Sequence, residues 1–295
     1  MKQISGIDTP VKGGMAVLKP FDIRAHSPDG YIFTRWLATL PLWTPLLIIA
    51  AIGVYPSIVY AQSGFSIDDA FGALWRWMPF LLVSGFLFNV LISFWTLVIG
   101  TCAGAALGLG QISTFGPLRA FSWFITQLFR NSPWLVILFI VLLALPFEFT
   151  IFGQTIRVPD WMKGVFGLSL PVMANISEVV RGAVQSVPTA QWEAAESLAF
   201  SRRQILWQII LPQCFKRMLP PWMNWYAILT MATPLCSLLG IEEIITLSRQ
   251  AMEAEDNHPE LLVPFYGFAL LLFFVYCYPI ARLTMRLERK YAVKL

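Results

Sequence analysis

Residues 82–110 read LVSGFLFNVLISFWTLVIGTCAGAALGLG, without a single Asp, Glu, Lys or Arg. A helix crosses the hydrocarbon core of a bilayer with about 20 predominantly apolar residues, and this stretch exceeds that length. Within it Gly100, Gly104 and Gly108 recur every fourth residue with Ala105 beside them. Small side chains in that spacing let a second helix approach closely, so the ridge is assigned to packing and not to a ligand.

Outward from this stretch, comparable runs fall at roughly 36–60, 119–147, 164–185, 222–245 and 261–283. The expected fold is therefore an all-α integral membrane protein of about six transmembrane helices. Composition agrees: 57% of the 295 residues are apolar and 13% charged, against about 25% charged in a soluble domain. The run at 119–147 holds Phe129-Arg130-Asn131-Ser132-Pro133. A proline there removes a backbone donor, which predicts a kink or an interfacial turn. Val59-Tyr60-Ala61 faintly resembles a signal cleavage site, but the long leader before it argues for a retained helix.

Lysine and arginine are retained on the cytoplasmic side of short loops. Lys2, Lys12, Lys19, Arg24 and Arg35 precede the first span, and Arg282, Arg286, Arg289, Lys290 and Lys294 follow the last. Both termini are expected in the cytoplasm. The loop 186–221, with Arg202, Arg203, Lys216 and Arg217, and the connection before Arg119 fall on the same side. The opposite loops carry Arg76, Arg157, Lys163 and Arg249, and 253–260 is acidic. Inside-loop bias accounts for the net charge of +4, so no nucleic-acid partner is implied.

Catalytic signatures are missing: there is no phosphate-binding loop ending in Lys-Ser or Lys-Thr, no His-Glu-x-x-His and no Gly-x-Ser-x-Gly. His26 and His258 fall in polar tail or loop and read as solvated. Cys102, Cys236 and Cys277 lie in expected spans and Cys214 in a loop, with neither a disulfide framework nor metal spacing. No catalytic residue and no metal site is expected.

The loop 186–221 is long and poor in glycine, which excludes a mere connector. Pro188 and Thr189 open a short helix with Glu193 near its positive end, running to about Leu198. Ser201-Arg202-Arg203-Gln204 then reads as a capping box that starts a second helix, stopped by Pro212. Two short helices carrying Ala194 and Ala195 suit a docking protrusion; spacing alone fits equally well an amphipathic pair at the interface, anchored by Trp192 and Trp207.

This loop resembles that of the permease subunits of ABC importers, in which Glu-Ala-Ala, three residues, Gly, nine residues and Ile-x-Leu-Pro follow in order. Glu193, Ala194, Ala195, Ile209, Leu211 and Pro212 match in register, and Ala199 stands where the family has glycine. Phe129 to Pro133 resembles the Phe-Arg-Gly-Thr-Pro of the subfamily that imports polar amino acids and opines. Glu178-Val179-Val180-Arg181-Gly182 with Gln185-Ser186-Val187-Pro188 resembles the stretch before its loop. Where members read Lys-Asp-Thr-Ser-Leu, this chain has Met231-Ala232-Thr233-Pro234-Leu235.

The resemblance implies a domain plan: a cytoplasmic tail at 1–35, an extra N-terminal transmembrane helix and outer loop at 36–80, and the permease domain at 81–290. It implies that Glu193, Ala194, Ala195, Ala199, Ser201, Ile209, Leu211 and Pro212 couple the chain to cytoplasmic ATP-binding subunits. ATP and Mg would be used by that ATPase, with no cofactor bound by this chain. A second permease copy or paralogue, an extracytoplasmic solute-binding protein and membrane lipid complete the expected partners. The expected location is the bacterial inner (plasma) membrane.

Charges within spans are costly and face a protein interior or an aqueous cavity. Glu178 and Arg181 sit three apart on one helical face, as a structural pair or as contacts for a zwitterionic solute. Arg130 beside the Pro133 break reads as partnering freed carbonyls or a helix end. With Asn175 and Thr233 these residues are the candidates for the solute path. A stand-alone secondary transporter or channel is the competing reading. It would be expected to show inverted repeats or mid-membrane carboxylates, and Glu178 is the clear intramembrane carboxylate.

Overall fold

A computed structural model describes residues 65–151 and 154–291. The expected first span at 36–60 and the tail before it lie outside the described residues.

Ser66 opens α1 (Ile67–Phe80) through a reciprocal box: Asp69 N–H donates to Ser66 Oγ at 3.2 Å and Ser66 N–H donates to Asp69 Oδ2 at 3.0 Å. Pro79 lacks an N–H, and the turn after it, Leu81–Phe86, widens into a π-helix before α2 (Leu87–Gln111). The three pieces form one rod, Ile67–Gln111. The outer loop expected between the runs at 36–60 and 82–110 is thus helical from Ile67 onward, because Ala70, Ala73 and Leu74 are buried on one face.

The expected third span is broken. α3 (Gly116–Arg130) and α4 (Trp134–Ala144) meet at 105° across Asn131–Pro133. Side chains at the break bond the last carbonyls of α3: Asn131 Nδ2 donates to Gln127 O at 2.8 Å, beside the Asn131 backbone N–H, and Ser132 Oγ donates to Leu128 O at 2.6 Å. A short antiparallel hairpin follows, β1 (Glu148–Ile151) and β2 (Gln154–Arg157), in a chain otherwise helical among the described residues.

α5 (Asp160–Gln185) is the centre of the fold. Leu168, Val172 and Ile176 pack with Ile92 and Leu97 of α2 and Leu138 of α4. The glycine ridge of α2 lies against it: ideal Cβ atoms at Gly100, Gly104 and Gly108 would stand 2.6–2.7 Å from Val172, the Met173 carbonyl and Val180. At 1.5 Å per residue its 26 residues span about 39 Å, more than the hydrocarbon core of about 30 Å. Its polar residues are tolerable there because protein, not lipid, surrounds it.

After α6 (Thr189–Ser197) the chain forms α7 (Arg202–Gln204), a π-turn at Ile205–Ile210, and α8 (Leu211–Ala232), which ends in the 3-10 turn Thr233–Leu239. The expectation that Pro212 stops the loop's second helix is corrected: Pro212 sits in the first turn of α8. The π-turn absorbs it, as Leu211 N–H reaches back to Leu206 O and the widened ladder needs no donor from the proline. The helix of the expected fifth span therefore begins inside the loop and is continuous from Arg202 to Leu239.

A left-handed Gly240 ends that rod, and α9 (Ile244–Ala254) departs at 51°. The 3-10 turn Pro259–Leu261 leads into α10 (Leu262–Tyr291), the last helix. Leu74 of α1, Met252 of α9 and Phe265 of α10 close a second cluster at this end.

Candidate functional site

The Glu178–Arg181 pair and Arg130, read apart from each other in the sequence, come together. Glu178 on α5 accepts two bonds from Arg181, one turn on: Nη2 to Oε2 at 2.6 Å and Nε to Oε1 at 3.2 Å. Arg130, at the end of α3, brings Nη1 to 3.5 Å from the same Oε2. Arg181 Nη1 donates onward to Gln185 Oε1 at 2.8 Å. The fork-shaped guanidinium fits a carboxylate with two parallel bonds, which fixes both side chains. The Pro133 break is what places Arg130 here, since α3 ends where α5 passes. A cavity of about 440 Å³ opens beside this chain of charges, lined by Gln111, Arg119, Trp123, Gln127, Glu178 and Arg181.

Asn175 and Thr233 make their bonds elsewhere. Asn175 Nδ2 donates to Pro171 O at 2.8 Å within its own helix. Thr233 Oγ1 donates to Thr230 O at 2.8 Å and accepts from Asn89 Nδ2 at 2.9 Å.

Thr233 belongs to a network that sequence reasoning missed. Glu243 is fully buried and caps α9: its Oε1 accepts from Ile245 N–H at 2.9 Å and Thr246 N–H at 3.1 Å, and its Oε2 from Asn89 Nδ2 at 2.9 Å. Asn89 Oδ1 in turn accepts Ile244 N–H at 3.1 Å. The reading of Glu178 as the clear intramembrane carboxylate is therefore incomplete. Asn89, a lone amide in an apolar run, and Glu243, just after Gly240 and before an apolar run, carried the signal.

The loop 186–221 has a closed interior and an open edge. Ala195 is buried with Val184, Val187, Ile205, Ile210 and Cys214, so it packs the loop onto α5 and α8 and offers no surface. Glu193, Ala194, Leu198, Ala199 and Ser201 are exposed. Ala199 takes φ 59°, the left-handed turn that glycine adopts freely. Ser201 N–H donates to Gln204 Oε1 at 2.8 Å, the reach-back arm of the expected box. Ile209 and Leu211 are half-buried against the same cluster, with Pro212 exposed.

Helices long and apolar enough to cross a membrane, with a protruding two-helix loop between them, define a helical membrane component. Residues 97–291 match the model of the binding-protein-dependent transport system inner membrane component family, and the chain belongs to that family. It is similar to the L-cystine transport system permease of Bacillus subtilis, 26% identical over 211 residues that cover 71% of this chain and 86% of the relative. It is also similar to the glutamate transport system permease of Corynebacterium glutamicum, 29% identical over 227 residues, 73% of this chain and 79% of the relative. Among solved structures, one titled as an amino acid ABC transporter with histidines shares the fold at a TM-score of 0.62 and 22% identity, covering 74% of this chain and 96% of that one.

The chain is thus the inner-membrane permease subunit of an ABC importer, and not a stand-alone carrier. ATP hydrolysis belongs to separate ATP-binding subunits, and a solute-binding protein is the other partner of the family.

Proposed function

We propose that this permease carries a polar amino acid or a related small solute, delivered on the outer face, and that the loop 186–221 is its contact with the ATPase. The names of the relatives, permeases for glutamate, cystine and arginine, support the solute class. The observation that carries the docking assignment is the division of the loop. Ala195, Ile205 and Ile210 lock its interior, leaving the edge of Glu193, Ala194, Leu198 and Ala199 rigidly held and open. Rigid presentation of a small, partly apolar edge suits insertion into a groove. ATP and Mg are used by the ATPase, with no cofactor on this chain.

A second copy of the chain or a paralogue encloses the path with it, and Glu178, Arg181, Asn175, Arg130 and Thr233 lie along that path. Both termini and the loop are cytoplasmic, on the lysine and arginine bias.

The test is co-purification with the ATP-binding subunits. Ala194→Trp on the open edge should abolish association while the chain still inserts in the membrane; normal association and ATP-driven uptake in vesicles would overturn the docking assignment. Uptake of neutral sugars but of no amino acid would overturn the solute class.

A further inference from the structure

We propose that the cavity between the bundle and the docking loop is a binding site for a phosphate group, held as the headgroup of an anionic phospholipid. The cavity, of about 450 Å³, is walled by the end of α2 (Gln111), by α3 (Arg119), by the foot of α5 (Gln185) and by the loop helices (Thr189, Trp192, Arg202). No acidic side chain lines it. Neither Arg119 nor Arg202 has an ion pair among the described residues; Arg202 lies over the Trp192 ring at 6.0 Å. Thr189 begins α6, whose N-cap Pro188 supplies no side-chain acceptor, so the positive end of that helix is open too.

Topological bias explains arginines scattered in inner loops. It does not require two guanidinium groups from different elements, without an ion pair among the described residues, to line one cavity beside an aromatic ring and a threonine. Guanidinium groups recognise phosphate through charge-assisted paired hydrogen bonds, and basic pockets beside transmembrane helices on the inner side hold anionic headgroups.

The source of the phosphate follows from α3. Phe115 precedes this helix, and Leu118, Phe121 and Phe124 recur along one side of it; all four are exposed. A helix with such a face lies in the membrane interface, which brings Arg119 to headgroup level. A bound headgroup would tie the loop to α3 and α5 through Arg202 and Arg119. The proposal stands independently of the solute and of the ATPase.

The test uses the purified chain in detergent, titrated with phosphatidylglycerol, phosphatidylcholine or inorganic phosphate and read by native mass spectrometry. Phosphatidylglycerol should bind saturably, phosphatidylcholine should not, and inorganic phosphate should compete at higher concentration. Arg119→Gln with Arg202→Gln should weaken phosphatidylglycerol binding about tenfold or more, and Arg203→Gln, outside the cavity, should leave it unchanged. Arg202→Gln alone carries the test if the double variant does not fold, because the Arg202 side chain makes no ion pair among the described residues.

Equal binding of both lipids, unaltered binding by the Arg119 and Arg202 variants, or equal loss in Arg203→Gln would overturn the site. Phosphate binding that phosphatidylglycerol cannot displace would overturn the lipid as its source. Loss of ATPase association in the double variant at fixed lipid, with lipid binding intact, would reassign the arginines to a protein contact.

Discussion

The carbonyl oxygen of Met173 lies 2.6 Å from the position that a Cβ on Gly104 would occupy. The neighbour is backbone in the middle of α5 and cannot swing aside. Gly104→Ala should therefore destabilise the α2–α5 pair by about 1–3 kcal/mol, as overpacking does. Gly182→Ala, where a Cβ meets nothing within 4 Å, is the matched control. Thermal unfolding in detergent checks both, and equal transition temperatures for the two variants would refute the ridge as a close-packed seam.

Ala199 holds the left-handed turn between α6 and α7 without glycine's freedom. An L-residue in that conformation costs about 1–2 kcal/mol, partly offset by the lower unfolded-chain entropy of alanine, about 0.4–1 kcal/mol. Ala199→Gly should stabilise the loop by about 0.5–1 kcal/mol. Slower proteolysis within 189–204 of the variant is the expected readout, and faster cleavage would contradict it.

Glu243 accepts three hydrogen bonds in a fully buried setting. Glu243→Ala leaves two backbone donors and one of the two Asn89 amide hydrogens without an acceptor, the other still reaching Thr233 Oγ1, and should cost about 3 kcal/mol or more. Glu243→Gln keeps an acceptor for the cap and should cost less. Because the groups act together, Asn89→Ala with Glu243→Ala should cost less than the sum of the single changes. Additive losses would show that the two side chains are independent.

Where α1 meets the end of α9, Trp77 Nε1 donates to Glu255 Oε1 at 2.9 Å and Arg76 Nη2 donates to Oε2 at 2.7 Å. These two bonds, the Trp77 bond first, hold the Glu255 carboxyl below its ordinary value of 4.5. A depressed folded value means that the contribution is present above the unfolded value and is lost as pH falls through the folded one. Wild type should therefore exceed Glu255→Gln in thermal stability at neutral pH, with the gap closing below about pH 4.5. Arg76 is exposed, so the gap should be small and should shrink with salt. A gap that widens in acid would refute the assignment.

What the sequence made legible was set by length and spacing. An uncharged run such as 82–110 can only be a span, and the glycine interval, the Pro133 break, the α6 start at Thr189 and the Glu178–Arg181 pair all follow from local geometry. Three features were hidden because they depend on contacts far apart in the chain. Arg130 joins Glu178 only once α3 is folded against α5. Ala195 looked like a docking surface until Ile205 and Ile210 covered it. Glu243 drew no reading, because its burial depends on the amide of Asn89, 154 positions earlier, which donates to it. Pro212 misled for a different reason: the rule that proline ends a helix assumes a regular ladder, and the π-turn changes the ladder.

That π-turn decides how force travels. Had the helix stopped at Pro212, the loop would swing on a flexible joint and a push on its tip would be absorbed there. Instead Arg202–Leu239 is one unbroken shaft, on the order of 57 Å long at 1.5 Å per residue. Along that length the backbone keeps one direction until Gly240, whose left-handed turn is where the chain swings by 51° into α9.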